Sequence, residues 1–434
     1  MGTQTAGVVK QVVIIGGGFA GINLAKQLAK DKRFNITLVD KNNYYFFPPL
    51  IYQVATGFLE TSSISYPFRK LFRKSSTVHF RLGSLMSVET SLNTCHLDSG
   101  DIHYDYLVFA TGAEPNYFGN ENIRNNAIPM KTINDALQMR NALLENLEMA
   151  AVTTVEAERK KLLTIVIAGG GPTGVEVAGM LAELRKYVLK RDYPEFYNVT
   201  EDIYLVEGSK SLLLQMSEQS HKDAQNALAS LNVKVKLNTQ VKDFVNDTVY
   251  LSNGETIETK NLIWTAGVHA IMFDGIPLTS IGKGKRMLVN AYNKVEGMNN
   301  VYAIGDSCLQ TTDTAFPAGH PQLAQVAIQQ GKKLAKNLSA TASGKASQAF
   351  TYFDQGNMAI IGRNKAVVDL AKPALHFRGF IALFMWLFIH LISLITYRNK
   401  MRTLYNWIIA YFTRDQSLRM IIRPEKNLHK KLLS

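Results

Sequence analysis

Cysteine is nearly absent from this chain of 434 residues: only Cys95 and Cys308 occur, far apart and in no CxxC pair. That spacing excludes a dithiol centre of the disulfide-reductase kind. No His/Cys cluster has metal-ligand spacing, so no metal is expected, and no nucleophile-elbow motif marks a hydrolase. So few cysteines suit a reducing compartment. No apolar run precedes Gly16, so no signal peptide is expected. Low-complexity segments and short tandem repeats are also missing. Acids are scarce at one end. From Lys372 onward eleven Lys/Arg face only Asp415 and Glu425, a surplus of nine within a net charge of +13.

Glycine carries the signal instead. Residues 12–21 read VVIIGGGFAG and residues 165–176 read IVIAGGGPTGVE. Each is a short apolar strand, three glycines and the start of a helical pattern, the opening of a dinucleotide-binding βαβ unit. In the first, Gly16 permits the turn, Gly18 lets backbone N–H groups approach a pyrophosphate, and Gly21 lets helix pack on strand. The pyrophosphate would sit at the helix start near Phe19. The next apolar strand ends at Asp40, placed to accept hydrogen bonds from ribose hydroxyls. In the second, Gly169, Gly171 and Gly174 repeat the spacing, and the strand DIYLVE ends at Glu207. The longer gap before Glu207, about LRKYVLKRDYPEFYNVTED, reads as an extended crossover helix plus loop. A carboxylate at Glu207 favours a free 2′-hydroxyl over a 2′-phosphate, hence NADH over NADPH, with Lys210 nearby to soften the preference. A glycine turn that only packs helix on strand is the plain alternative for either copy.

Further strands fit the same frame. Residues 105–116 (DYLVFATGAEPN) and 261–268 (NLIWTAGV) are apolar runs turning at a glycine, and 299–306 (NNVYAIGD) ends at Asp306, which can bond ribityl hydroxyls or phosphate.

With GGGFAG, YYFFPPLIYQVATG (44–57), GGGPTGVEVAG, AIGD and LAQVAIQQG (323–331), the chain resembles the two-dinucleotide flavoproteins and, among them, the type II NADH:quinone oxidoreductases. The resemblance implies FAD in the first cradle, NADH in the second, a membrane quinone as acceptor, no proton pumping and a homodimer. It matches Gly16, Gly17, Gly18, Phe19, Ala20, Asp40, Lys41, Thr111, Gly112, Asp306, Ala324 and Gln325 to flavin positions. Asn116 and Lys372 follow on less diagnostic spacing. Gly169, Gly171, Thr173, Gly174, Glu176 and Glu207 match NADH positions.

Two groups stand out for chemistry. Residues 320–338 read as a helix with Pro321 in its first turn, aimed at the flavin pyrimidine edge. Gln325 and Gln329 share one face of it and could offer amides to a quinone carbonyl, or simply be solvated. Glu176 is either a first-turn acid favoured by the helix start or a group that orients NADH and couples to protonation.

The segment 380–397 (FIALFMWLFIHLISLITY) is 18 residues without charge. As a helix it would reach roughly 27 Å, marginal for a bilayer. His390, Ser393 and Tyr397 suggest a polar stripe, both flanks are basic, and residues 404–412 (LYNWIIAYF) are too short to return. A monotopic anchor in the lipid interface is therefore expected over a span or a buried helix. It would lie on the cytoplasmic face of the inner membrane, with lipid rather than nucleic acid as partner.

The fold class expected is α/β: two Rossmann-like domains, the NADH domain inserted in the FAD domain, plus C-terminal amphipathic membrane-anchoring helices. The FAD domain takes residues 1–118 and 285–340, the NADH domain 119–284 and the membrane region 341–434, with 145–161 as helix and linker. Rival functions are a flavoprotein with another acceptor, of the sulfide:quinone, ferredoxin or oxygen type, and a membrane-docked NADH-binding sensor.

Overall fold

A computed structural model describes residues 9–196, 202–413 and 418–422. The leading residues, the end of the expected crossover loop (197–201) and both tail acids lie outside that description. The chain divides into two compact units.

The first unit comprises Met1–Phe46, Ser65–Asn116 and Val268–Gln355. Its centre is a parallel sheet in the order Val301–Ala303, Tyr106–Phe109, Lys10–Ile15, Phe34–Asp40, Val78–Leu82. Val, Ile, Leu and Phe fill these strands because both faces are covered, as parallel sheets require. The helix Phe19–Leu28 packs along the helix Ala324–Thr341 closely enough that a Cβ on Gly331 would lie 2.5 Å from the Ala20 carbonyl oxygen.

The second unit comprises Phe47–Ile64, Tyr117–Gly267 and Gly356–Ser434. It repeats the plan: Ile128–Pro129, Asn261–Trp264, Ile165–Ala168, Ile203–Val206 and Val233–Lys236 run parallel in that order. Glu156–Leu163 forms a helix after the long helix Ile133–Val152, so the stretch read as helix and linker is two helices.

The units cut the chain differently from the expected boundaries. The strands Ala113–Pro115 and Val268–Ala270 pair antiparallel, which draws residues from 268 onward into the first unit. Residues 341–355 stay there too, since Phe350 and Tyr352 pack beside Val326. Residues 47–64 join the second unit, where Ile51–Ala55 packs on Ile133–Val152. The C-terminal region is not a separate layer either. Its strand Asn357–Gly362 crosses the helix Pro172–Leu184 at Gly179, where a Cβ would lie 1.6 Å from the Ile361 carbonyl oxygen.

Candidate functional site

The two glycine turns are built alike. Gly16 and Gly169 have φ of +101° and +106° and donate their N–H to Val39 and Val206 carbonyls at 2.8 Å. Such positive φ is strained for any other residue. The Asp40 carboxylate accepts the N–H of Gly17 at 2.7 Å and of Asn42 at 2.8 Å. Glu207 accepts from Gly170 at 2.5 Å and from Ser209 at 2.7 Å. Each acid thus ties its strand end to the turn. Burial pushes Asp40 above the usual carboxylate range, against the pull of the Asn42 and Gly17 N–H groups and of Lys41.

The first cradle fits a pyrophosphate-bearing cofactor. Gly18 caps the helix Phe19–Leu28 with no side-chain cap on the helix's N–H groups, and a Cβ on it would meet nothing within 4 Å. Gly171 repeats both features at the helix Pro172–Leu184. A helix start whose N–H groups no side chain caps is suited to an anion. The Thr111 hydroxyl is buried with no hydrogen-bond partner, an orphan that a ligand in the first unit would satisfy.

Gly16 to Ala20, Asp40, Lys41, Thr111, Gly112, Asn116, Asp306, Ala324 and Gln325 all belong to the first unit. Lys372 belongs to the second unit, exposed on a turn between the strands Lys365–Leu370 and Leu375–Arg378. The helix read from Pro321 starts at Ala324, because Leu323 is extended and its N–H turns back to the Pro321 carbonyl. Gln325 therefore lies in the first turn, where its Oε1 accepts the Gln355 N–H at 3.2 Å. Both ends of the Gln329 amide are taken by the Phe353 backbone, at 2.9 and 3.0 Å. Gln330, missed in the sequence, is fully buried and accepts the Gly305 N–H at 2.6 Å, fixing the turn that carries Asp306. Burial raises the Cys95 thiol to about 12 and the Cys308 thiol to about 11, so neither supplies a thiolate near neutral pH.

The second unit holds Gly169, Gly171, Thr173, Gly174, Glu176 and Glu207. Glu176 is no first-turn surface acid. It is the fifth residue of its helix and only 8 % exposed, and burial drives its carboxyl well above the ordinary range. The Ile360 N–H and the Trp386 indole favour the charged form and offset this only in part. The indole N–H itself is buried and completes no full hydrogen bond. Tyr52 lies close enough to Glu176 for its own ionisation to be suppressed, chiefly by burial and further by that carboxyl.

An aromatic and amide cluster surrounds this acid. His390 stacks on Trp386 at 3.9 Å, and burial lowers it to about 4, so the ring is neutral. Gln53 donates to the Tyr52 hydroxyl at 3.0 Å and accepts the Trp407 indole N–H at 2.8 Å. Tyr52 and Gln53 stand in the 44–57 motif, but Glu176 and Trp407 lie more than a hundred residues further along the chain, beyond the reach of spacing.

The polar stripe expected on the tail helix does not form. His390 is folded onto Trp386, the Ser393 hydroxyl bonds the Ile389 carbonyl at 2.6 Å, and Tyr397 opens a second helix. The helix Gly379–Ser393 instead exposes Phe380, Ile381, Phe384, Phe388 and Ile392 and buries Ala382, Leu383 and Trp386. Tyr397–Thr413 is inverted: Asn399, Thr403 and Trp407 are buried, while Met401, Tyr405, Ile408 and Phe412 are exposed. Asn399 donates to the Ser62 and Ser63 carbonyls at 3.1 and 2.9 Å, which explains how a polar residue sits inward. Among the described residues no helix is long and apolar enough to cross a membrane.

Comparison with known proteins agrees with this geometry. Residues 10–331 match the pyridine nucleotide-disulphide oxidoreductase family, and residues 355–415 match the NDH2 C-terminal domain. The type II NADH:quinone oxidoreductase NdhA of Mycobacterium tuberculosis is 35 % identical, over 93 % of this chain and 87 % of its own length. The internal alternative NAD(P)H-ubiquinone oxidoreductase A1 of Solanum tuberosum is 30 % identical over 94 % and 88 %. In fold, NDH2 from Plasmodium falciparum, solved with NADH, superposes with a TM-score of 0.86 at 21 % identity, covering 96 % of this chain and all of the other. The chain belongs to the type II NADH:quinone oxidoreductases, FAD-dependent enzymes that oxidise NADH and reduce quinone.

Proposed function

We propose that FAD occupies the first unit's cradle and NADH the second's, and that the acceptor quinone is drawn from the lipid phase. The observation that carries the assignment is the pair of acid-tied glycine turns, Asp40 on Gly17 and Glu207 on Gly170. Bound FAD supplies the two-electron chemistry between nicotinamide and quinone. Gly16 to Ala20, Asp40, Lys41, Thr111, Gly112, Asn116 and Asp306 bind it, and the helix start at Ala324 and Gln325 favours negative charge beside it. Gly169, Gly171, Thr173 and Gly174 bind the NADH pyrophosphate, and Glu207 selects the free 2′-hydroxyl.

Glu176, kept protonated by burial, holds a proton at its carboxyl and orients the nicotinamide end of NADH. Gln325 contacts the quinone; Gln329, spent on Phe353, supports that role less. The outward apolar faces of Gly379–Ser393 and Tyr397–Thr413, with Arg398 beside them, suit an anionic lipid surface. Docking to the cytoplasmic face of the inner membrane and association as a homodimer complete the reading.

Purified protein should show a flavin spectrum that NADH bleaches and a quinone analogue restores. Bleaching by sulfide instead of NADH would overturn it, and slow reoxidation by every acceptor would point to a sensor.

A further inference from the structure

Phe118, in the second unit, holds a backbone conformation that its side chain disfavours. The Asn120 N–H bonds the Tyr117 carbonyl at 3.0 Å, closing a tight turn around Phe118 and Gly119. Both central residues have positive φ, +53° and +80°. Glycine takes such a backbone freely and Asn readily, but a bulky aromatic residue is strained there. The Phe118 side chain is nonetheless 70 % exposed, so burial of the ring does not offset the strain. Strained residues of this kind concentrate where ligands are held.

Two contacts place the ring. It meets the Trp264 ring edge-on, 6.4 Å between centroids, and a Cβ on Gly267 would lie 2.9 Å from its Cζ. Trp264 ends the strand Asn261–Trp264, which pairs with Ile165–Ala168 so that Trp264 stands opposite Ala168. Just beyond, the Thr265 hydroxyl donates to the Ala168 and Gly169 carbonyls at 2.7 and 3.1 Å. A Cβ on Gly169 would lie 2.8 Å from the Ala266 nitrogen. Phe118 is therefore joined, through Thr265 to Gly267, to the glycine turn of the second cradle.

Strand order decides which half of a dinucleotide it serves. Ile165–Ala168 lies between Ile203–Val206 on one side and Asn261–Trp264 on the other. Glu207 follows the first neighbour, which gives that side to the adenosine ribose. The side of Asn261–Trp264, with Gly267 and Phe118 at its end, is left for the nicotinamide.

We propose that the exposed face of the Phe118 ring packs against the nicotinamide ring of NADH and positions it. A flat apolar ring stacks on a planar heteroaromatic one, a match that ribose and phosphate do not offer. This role rests on NADH occupying the second cradle.

The test titrates the detergent-purified, flavin-loaded enzyme with NAD⁺ and with ADP-ribose, which lacks the nicotinamide ring. Wild type should bind both saturably. Phe118→Asn, at ease with positive φ, should keep or raise the melting temperature. It should weaken NAD⁺ binding about fivefold or more and leave ADP-ribose affinity unchanged. Phe118→Tyr, which keeps the ring, should bind NAD⁺ as the wild type does. Three results would overturn the proposal. Unchanged NAD⁺ affinity in Phe118→Asn would leave the exposed ring to another partner. Equal loss of NAD⁺ and ADP-ribose with a lower melting temperature would make Phe118 a packing residue. Failure of the wild type to bind ADP-ribose would remove NADH from the cradle itself, and the ring's role with it.

Discussion

The indole N–H of Trp407 donates to Oε1 of Gln53 at 2.8 Å, both side chains buried. This bond fastens the second tail helix to the helix Ile51–Ala55, and Gln53 passes the link to Tyr52. Trp407→Phe would leave the Gln53 oxygen buried and unpaired, which costs about 1–3 kcal/mol. Chemical denaturation should show that loss, and Trp407→Phe with Gln53→Leu should recover part of it. An unchanged midpoint in the single variant would remove the bond from the account.

Glu176 has a testable pH signature. Its folded proton affinity lies well above the unfolded value. Between the two, the unfolded chain ionises while the native chain stays protonated, so stability falls as pH rises from about 4 upward. Glu176→Gln mimics the neutral acid and removes this dependence. Its melting temperature should match the wild type near pH 4 and exceed it increasingly towards neutrality. If turnover and its pH dependence also stay as in the wild type, Glu176 serves structure alone.

Gly18 and Gly21 separate binding from folding. A Cβ on Gly18 would meet no protein atom within 4 Å, whereas one on Gly21 would lie 2.0 Å from the Gly16 carbonyl oxygen. Gly18→Ala should fold with normal stability and lose FAD affinity by about tenfold; Gly21→Ala should fail to fold stably. Flavin content against thermal unfolding distinguishes them, and normal flavin content in Gly18→Ala would contradict the cradle.

The exposed tail faces predict a split phenotype. Phe384→Ser with Phe412→Ser changes two outward side chains, 64 % and 77 % exposed, without touching Trp386 or Trp407. Sedimentation with anionic vesicles should drop several-fold, while NADH oxidation by a water-soluble quinone persists. Sedimentation equal to wild type would place the lipid contact elsewhere.

Much of the site was legible because it is local. A glycine turn, its flanking strand and the acid at the next strand's end interact within one βαβ unit, and their spacing survives in the sequence. Asp40, Glu207 and the glycines are of this kind. Gln330 was not legible, since only its packing beneath Gly305 marks it. Nor was the inversion of Tyr397–Thr413, whose buried Asn399 and Thr403 are satisfied by carbonyls of Ser62 and Ser63 from the other end of the chain.

The sequence by itself determined the two nucleotide cradles and the apolar, basic character of the tail, because turn chemistry and hydrophobic pattern act over short separations. Only the tertiary structure decided where the units divide and what Glu176 is. The close crossing at Gly179 lays the strand Asn357–Gly362 on the helix Pro172–Leu184, and with Trp386 it takes the carboxyl out of water. Desolvation depends on neighbours distant in the chain, so no pattern around Glu176 could announce it.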